Sequence, residues 1–174
     1  MNEPVRMVAD WLAHATNGAT AELANVTLDA GDPSPTVIAG VLDETRSAIV
    51  AQGQIPEDQA TPFLLVWHLQ DIQWGEENQA GQDAQGCEIG VAYVDRDSNA
   101  ERALRDAGYY LRAVKRSLNR FHRNENTAGA RTRNSVILRN GGLAMRMTRP
   151  ELQLQDAFIS RVIAVTYPLR DSAP

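Results

Sequence analysis

The sequence predicts an α+β protein: an antiparallel β-sheet with a long hairpin, one long helix packed across the sheet, and an N-terminal helix. Apolar residues recur every three or four positions from Leu104 to Phe121, as on the buried face of a helix. Residues 62–74 and 88–94 alternate like strands of a sheet. Because these strands are consecutive, we expect antiparallel pairing, with the long helix on one face.

The composition is that of an ordinary globular protein. The chain has 174 residues, a formal net charge of −5 and 43% hydrophobic residues, which suffice for a single domain over residues 1–174. Cys87 is the only cysteine, which excludes an intramolecular disulfide and a thiolate-rich metal site. The N-terminal segment carries two acidic residues and no long apolar run, so we expect neither a signal peptide nor a membrane span.

The first third of the chain predicts two helices separated by a loop. Residues 5–15 have apolar residues at helical spacing, and Asn17 and Gly18 are expected to end this helix in a left-handed conformation. Residues 19–35 finish with a Gly-Asp-Pro-Ser-Pro run and predict a loop. Residues 37–50 again show helical spacing and predict the second helix.

The middle of the chain predicts the long hairpin. Residues 62–74 form a strand that we expect to be buried on both faces near its start. Residues 75–86 have no apolar side chain larger than alanine and predict a solvated acidic loop. Residues 88–94 complete the hairpin as its second strand.

The long helix has the clearest local signal. Ser98 and Glu101 match the S-x-x-E capping box, in which each residue satisfies a backbone N–H of the first turn. The apolar stripe then predicts a helix from Asn99 to Phe121. Its other flanks are basic, with Arg105, Arg112, Lys115, Arg116, Arg120 and Arg123.

The last third predicts an arginine-rich loop and more strands. Residues 124–134 are polar and predict the loop. Residues 135–138 and 143–147 flank Asn-Gly-Gly and predict a second hairpin. Residues 157–167 predict a closing strand that Pro168 ends.

The net charge conceals an uneven distribution along the chain. Residues 1–87 hold 2 basic and 13 acidic residues, a balance of −11, and residues 88–174 hold 15 basic and 9 acidic residues, a balance of +6. Charge polarity of this kind suits nucleic-acid contact or head-to-tail packing of identical subunits.

No residue pattern indicates catalysis. His14, His68 and His122 lie on different predicted elements without metal-ligand spacing, and Cys87 has no basic neighbour to activate it. The Gly-Gly pair at 141–142 lacks the frame of a phosphate-binding loop. We therefore expect no catalytic residue, no cofactor and no metal, and a protein that is not an enzyme.

Two kinds of partner compete for the charged segments. A nucleic-acid-associated regulatory or packaging protein would use the basic helix 99–123. The negative net charge and the lack of a base-reading module argue against this hypothesis. Self-assembly into a ring fits better, with acidic loop 75–86 of one subunit meeting arginine-rich loop 124–134 of the next. The candidate subunit-interface residues are Glu76, Glu77, Asp83, Arg131 and Arg133.

The order of elements resembles the tail terminator, or tail completion, proteins of long-tailed bacteriophages. The residues that carry the resemblance are the opening VRMVADWLAHA, the strand EIGVAYVDRD passing into the helix NAERALRDAGYYLRAVKRSL, and the closing strand AFISRVIAVTYPL. Head–tail connectors and stoppers of the phage neck share the same general pattern and remain an alternative.

The resemblance implies a structural virion protein that forms a homohexameric ring on the tail tube and joins it to the head. Its partners would be further copies of itself, the tail tube protein and head–tail connector or neck proteins. DNA would pass through the lumen without sequence-specific binding, and no membrane is involved. The protein would be assembled in the host cytoplasm and would reside in the tail or neck of the virion.

Overall fold

The fold is α+β, as the sequence predicts. A computed structural model describes residues 3–43, 59–73, 84–96, 99–127, 144–147, 151–153 and 158–170. The elements, in chain order, are α1 (Glu3–Leu12), α2 (Ala19–Leu23), β1 (Val41–Asp43), β2 (Phe63–Gln73), β3 (Ala84–Asp95), α3 (Ala100–Thr127), β4 (Ala144–Met147), β5 (Glu151–Gln153) and β6 (Phe158–Arg170).

The strands form a mixed sheet in the order β1-β2-β3-β6-β4, with β5 also paired to β6. The predicted long hairpin is present, since β2 and β3 pair antiparallel from Phe63↔Val94 to Gln73↔Gln85. β6 runs antiparallel along the other side of β3. The expectation of purely antiparallel pairing is wrong at one edge, where β1 is parallel to β2.

The start of β2 is buried on both faces, which confirms the prediction for this strand. Leu64 and Val66 pack with β3 residues and with the helices α1 and α3 in the main core. Phe63 and Leu65 point to the other face and pack with Ala92 and Val94. Strands buried on both sides read as near-continuous apolar runs, which explains the FLLV sequence.

Helix α3 lies across the sheet and is longer than predicted. Its 28 residues span about 42 Å, and it continues to Thr127 instead of ending near Phe121. The apolar stripe is buried as expected, with Ala107, Leu111, Val114 and Leu118 in the core. The first four residues of the predicted loop 124–134 are therefore helical.

The N-terminal cap of α3 is Asn99 and not the predicted Ser98. The Asn99 Oδ1 accepts a hydrogen bond from the Arg102 N–H at 3.1 Å, and the Asn99 carbonyl oxygen accepts one from the Ala103 N–H. Asparagine and serine cap helices about equally well, so the sequence alone could not distinguish Ser98 from Asn99 as the N-cap.

The N-terminal region has a shorter first helix than predicted and a second helix in place of a loop. α1 ends at Leu12, and α2 occupies 19–23 within the predicted loop 19–35. The prediction that Gly18 adopts a left-handed conformation is wrong, since its φ is −73°. An added Cβ there would clash with the carbonyl oxygens of Leu12 and His14, so glycine is needed for close backbone approach.

The predicted helix over 37–50 is wrong in its described part. Its residues up to Asp43 are not helical, and 41–43 form β1. Two backbone donors of this segment bond to distant parts of the chain and not within a helix of their own. The Ile38 N–H donates to Tyr110 Oη, and the Ala39 N–H donates to the Pro62 carbonyl oxygen. Tertiary hydrogen bonds and β-branched side chains here outweigh the helical spacing.

The remaining strand boundaries also differ from the sequence expectation. β3 begins at Ala84, inside the predicted acidic loop, and β5 was not predicted. Pro168 does not end the closing strand, since it pairs with Gly86 and β6 continues to Arg170. Pro168 lies beyond Thr166, where the described pairing with β4 stops, and proline is tolerated at such edge positions. The predicted strand 135–138 lies outside the described residues.

Gly90 provides a test of the packing on the second sheet face. A Cβ at this position would lie 2.6 Å from Cε2 and Cζ2 of Trp67, its cross-strand partner. We predict that Gly90→Ala lowers the free energy of unfolding by about 1–3 kcal/mol in urea denaturation, because the indole must move.

Gly40 supplies the matched control, since an added Cβ there meets no atom within 4 Å. Gly40→Ala is expected to change stability by less than about 0.5 kcal/mol. Equal stabilities for the two variants would show that Trp67 does not constrain Gly90.

Candidate functional site

The predicted interface residues all lie outside the described part of the chain. Glu76, Glu77 and Asp83 belong to the segment that connects β2 to β3. Arg131 and Arg133 belong to the segment that connects α3 to β4. Their role in an interface therefore stays a prediction.

The solvent-facing side of α3 between residues 112 and 120 is cationic. Ala113, Val114, Ser117 and Leu118 are buried against the rest of the molecule. The intervening positions are exposed, as the helical repeat requires. We call these positions the cationic face: Arg112, Lys115, Arg116, Asn119 and Arg120.

A buried carboxylate from α2 fixes two arginines of this face. Glu22 is 1% exposed, and its Oε2 accepts a hydrogen bond from Arg116 Nε at 3.1 Å. Its Oε1 lies 2.7 Å from Arg120 Nη1. The side chains of Arg116 and Arg120 remain 52% and 47% exposed. One carboxylate thus holds two guanidinium groups at the surface and leaves this trio with a net positive charge.

Two further basic side chains of α3, one inside and one outside the cationic face, also make contacts within the chain. Arg105 makes an ion pair with the buried Asp106 at 3.0 Å. The other oxygen of Asp106 accepts the Thr36 N–H. Arg112 lies over the Tyr109 ring, with its guanidinium carbon 5.4 Å from the ring centroid. Much of the predicted basic flank therefore has partners within the chain, and the side chain of Arg123 lies outside the described residues.

Two adjacent tyrosines attach residues 24–40, which we call the strap, to α3. Tyr109 Oη accepts the Asp29 N–H at 2.8 Å and donates to Asp32 Oδ2 at 2.6 Å. Tyr110 Oη accepts the Ile38 N–H at 3.0 Å. These bonds satisfy backbone groups that regular secondary structure does not.

The same tyrosines, together with Tyr93, have raised pKa values. Burial is the main cause that raises the pKa of Tyr93, and Asp95 and Asp106 add to it. The hydrogen bond to Asp32 raises the pKa of Tyr109, and burial raises that of Tyr110. Each group is therefore held in its neutral, hydrogen-bonding form.

The histidines show structural contacts where their side chains are described. His14 follows α1, and its Nδ1 accepts the Thr16 N–H at 3.2 Å while its ring stacks on Trp11. Within the described ranges, no group of three or more His, Cys, Asp or Glu residues is placed to hold a metal ion. In the same part of the chain, no helix has the length and hydropathy needed to cross a membrane.

Sequence reasoning missed the polar residues that organise this surface. Glu22 lay in a segment predicted to be a loop, so its burial against α3 was not expected. Between the apolar positions of the helix stand Asp106, Tyr109 and Tyr110, and no sequence motif indicates their contacts. The Gly-Asp-Pro-Ser-Pro run was the available signal, since turn segments need external partners for their backbone groups.

Comparison with protein-family models and with curated proteins found no match. Among solved structures, the chain is similar to a chain of the "Virion of native gene transfer agent (GTA) particle", with a TM-score of 0.44 and 10% sequence identity. The match covers 94% of this chain and 91% of that chain.

Glu22 provides a test of how the cationic face is held. We predict that Glu22→Gln lowers the free energy of unfolding by about 1–2 kcal/mol, because the buried amide cannot balance two guanidinium groups. The half-exposed arginines keep the loss below that of a fully buried pair.

Glu101→Gln is the control, since Glu101 is an exposed acid on α3, the helix that carries the cationic face. Its substitution should cost about 0.5 kcal/mol or less in the same urea titration. The proposed role of Glu22 fails if the two variants unfold at the same urea concentration.

The buried tyrosines predict a loss of stability in alkaline solution. Their pKa values are raised in the folded state, so above pH 10 the unfolded chain releases protons that the folded chain retains, and stability falls as pH rises. Tyr93→Phe should reduce this slope by up to about 1.4 kcal/mol per pH unit, measured by urea denaturation from pH 8 to 11.

Phe63→Leu is the control for a buried substitution without a titrating group. It should lower stability and leave the slope unchanged. Lysine titration contributes little, because Lys115 is the only lysine. An unchanged slope in Tyr93→Phe would contradict the account.

Proposed function

We propose that this chain is a structural virion protein that works by self-assembly, as a tail-terminator-like ring that caps the phage tail tube and joins it to the head. The chain would act without catalysis, through the surfaces it presents. A hexamer is the oligomer proposed, and copies of itself, the tail tube protein and head–tail connector proteins are the proposed partners.

The arrangement of elements is the observation on which this proposal rests. The parts that carry the sequence resemblance are all present among the described residues: α1, the β2–β3 hairpin, α3 across the sheet, and β6 beside β3. The β2–β3 hairpin and β6 are long, since the 12 residues of β3 alone extend about 40 Å. Long strands give a subunit an extended surface on which to meet its neighbours.

The distribution of charge supports assembly of identical subunits. The β2–β3 hairpin leads into a connecting segment with Glu76, Glu77 and Asp83, and α3 carries the cationic face. Opposite charges on different elements of one chain favour heterologous contacts, in which one patch of a subunit meets a different patch of the next. Such contacts close into a ring when the rotation between subunits permits.

The buried polar groups support a role without catalysis. Glu22 is engaged by two arginines, and Asp106 by Arg105 and the strap. Tyr109 and Tyr110 accept backbone N–H groups. These contacts join α2, α3 and the strap, so the groups stabilise the fold.

Sedimentation velocity of the purified chain tests the proposal. We predict a species several times the subunit mass at protein concentrations of about 100 µM. It should dissociate as salt is raised, because the Debye length falls from about 8 Å at 0.15 M to about 3 Å at 1 M salt and the attraction between exposed charges weakens.

Fluorescence anisotropy with a labelled duplex is the companion measurement, since the nucleic-acid alternative makes the opposite prediction. A chain that stays monomeric at every concentration and binds the duplex tightly at low salt would overturn the proposal. Assembly with weak duplex binding supports it.

A further inference from the structure

We infer that the cationic face of α3 binds the acidic 74–83 segment of a second copy of this chain. This inference rests on the proposed self-assembly and names the surface that would carry it. In this contact the cationic face takes the place of Arg131 and Arg133 as the principal basic partner of the acidic segment. The structure describes the surroundings of the cationic face.

The cationic face is built to present charge. Four cations lie on one side of the helix within nine residues, from Arg112 to Arg120. Glu22 contacts Arg116 and Arg120 through one nitrogen each, so both groups are oriented while about half of each side chain stays exposed. Orienting long side chains in advance reduces the entropy lost on binding.

The chemistry of this face favours carboxylates. Three of its four cations are arginines, whose planar guanidinium groups bind carboxylates through paired hydrogen bonds. Glu76, Glu77 and Asp83 supply carboxylates from a single short segment. After Glu22 is subtracted, the face carries a balance of +3 against −3 for the segment, so the two charges match.

A second copy of the chain suits this face better than nucleic acid does. The whole chain has a net charge of −5, and a nucleic acid, unlike a second copy, has no cationic surface to offset the repulsion. Nucleic acid contributes one charge about every 1.7 Å, far more than four cations neutralise. A second copy instead brings a matched number of charges, and each subunit in a ring both donates and accepts the contact.

The test uses two variants of the full chain that alter charges of opposite sign. Lys115→Glu/Asn119→Glu lowers the balance of the face from +3 to 0 without altering a residue that contacts Glu22, and Glu76→Lys/Glu77→Lys changes the balance of the segment from −3 to +1. We predict that each variant alone associates at least tenfold more weakly than wild type in sedimentation velocity. A 1:1 mixture of the two should recover association, because the unaltered segment of one variant can bind the unaltered face of the other.

Arg6→Glu/Ala13→Glu is the matched control, since both positions are exposed on or just after α1 and its charge change equals that of the face variant. It should assemble like wild type. Melting temperatures close to wild type would show that all the variants fold.

The outcomes separate this inference from the proposed function. Wild-type assembly with no effect of the face variant, or no recovery in the mixture, overturns the inference and leaves the ring proposal standing. A wild-type chain that never assembles overturns both. If the face variant loses duplex binding but keeps assembly, the face is a nucleic-acid surface and the inference is wrong.

Discussion

The stack of Tyr93 on Tyr110 is the contact on which the arrangement of the other elements depends. The two rings lie 5.5 Å apart, fully buried, and join the C-terminal end of β3 to α3. The Tyr110 hydroxyl also accepts the Ile38 N–H, so the same side chain attaches the strap. Aromatic pairs add to the stabilisation that burial alone provides. The sheet, the long helix and the strap thus meet at one point, and the solvent-facing side of α3 follows from it.

The fixed orientation of α3 determines which of its charges are available. Residues on its inner side are committed to the core or to the strap, and Arg105 is paired with buried Asp106. Glu22 lies on α2, which packs on α3. Two hydrogen bonds join the segment before α2 to the same helix: Trp11 Nε1–H donates to the Ser117 carbonyl oxygen, and the Ser117 hydroxyl donates to the Asn17 carbonyl oxygen. The cationic face therefore depends on packing. Buried contacts orient α3, and the buried Glu22 carboxylate holds the side chains of Arg116 and Arg120 in place.

The elements with strong periodic signals could be predicted, and those that depend on tertiary partners could not. The stripe from Leu104 to Phe121 and the alternation after Phe63 predicted α3 and β2 because each records a buried surface in its own spacing. Segment 37–43 has helical spacing but is not helical, because Tyr110 and β2 take its backbone hydrogen bonds. The cationic residues of α3 were predicted as a basic flank of the helix, without the contacts that hold them. The burial of Glu22 depends on α2 meeting α3, which no local pattern records.

The central claim is that this chain is a structural subunit that assembles with itself. Native mass spectrometry of the purified chain at low ionic strength tests it most directly. We expect a dominant closed species of six subunits, which at 19.1 kDa each is about 115 kDa, and its loss when the ammonium acetate concentration of the sprayed solution is raised. A spectrum that contains only the 19.1 kDa monomer across the accessible concentrations would contradict the account.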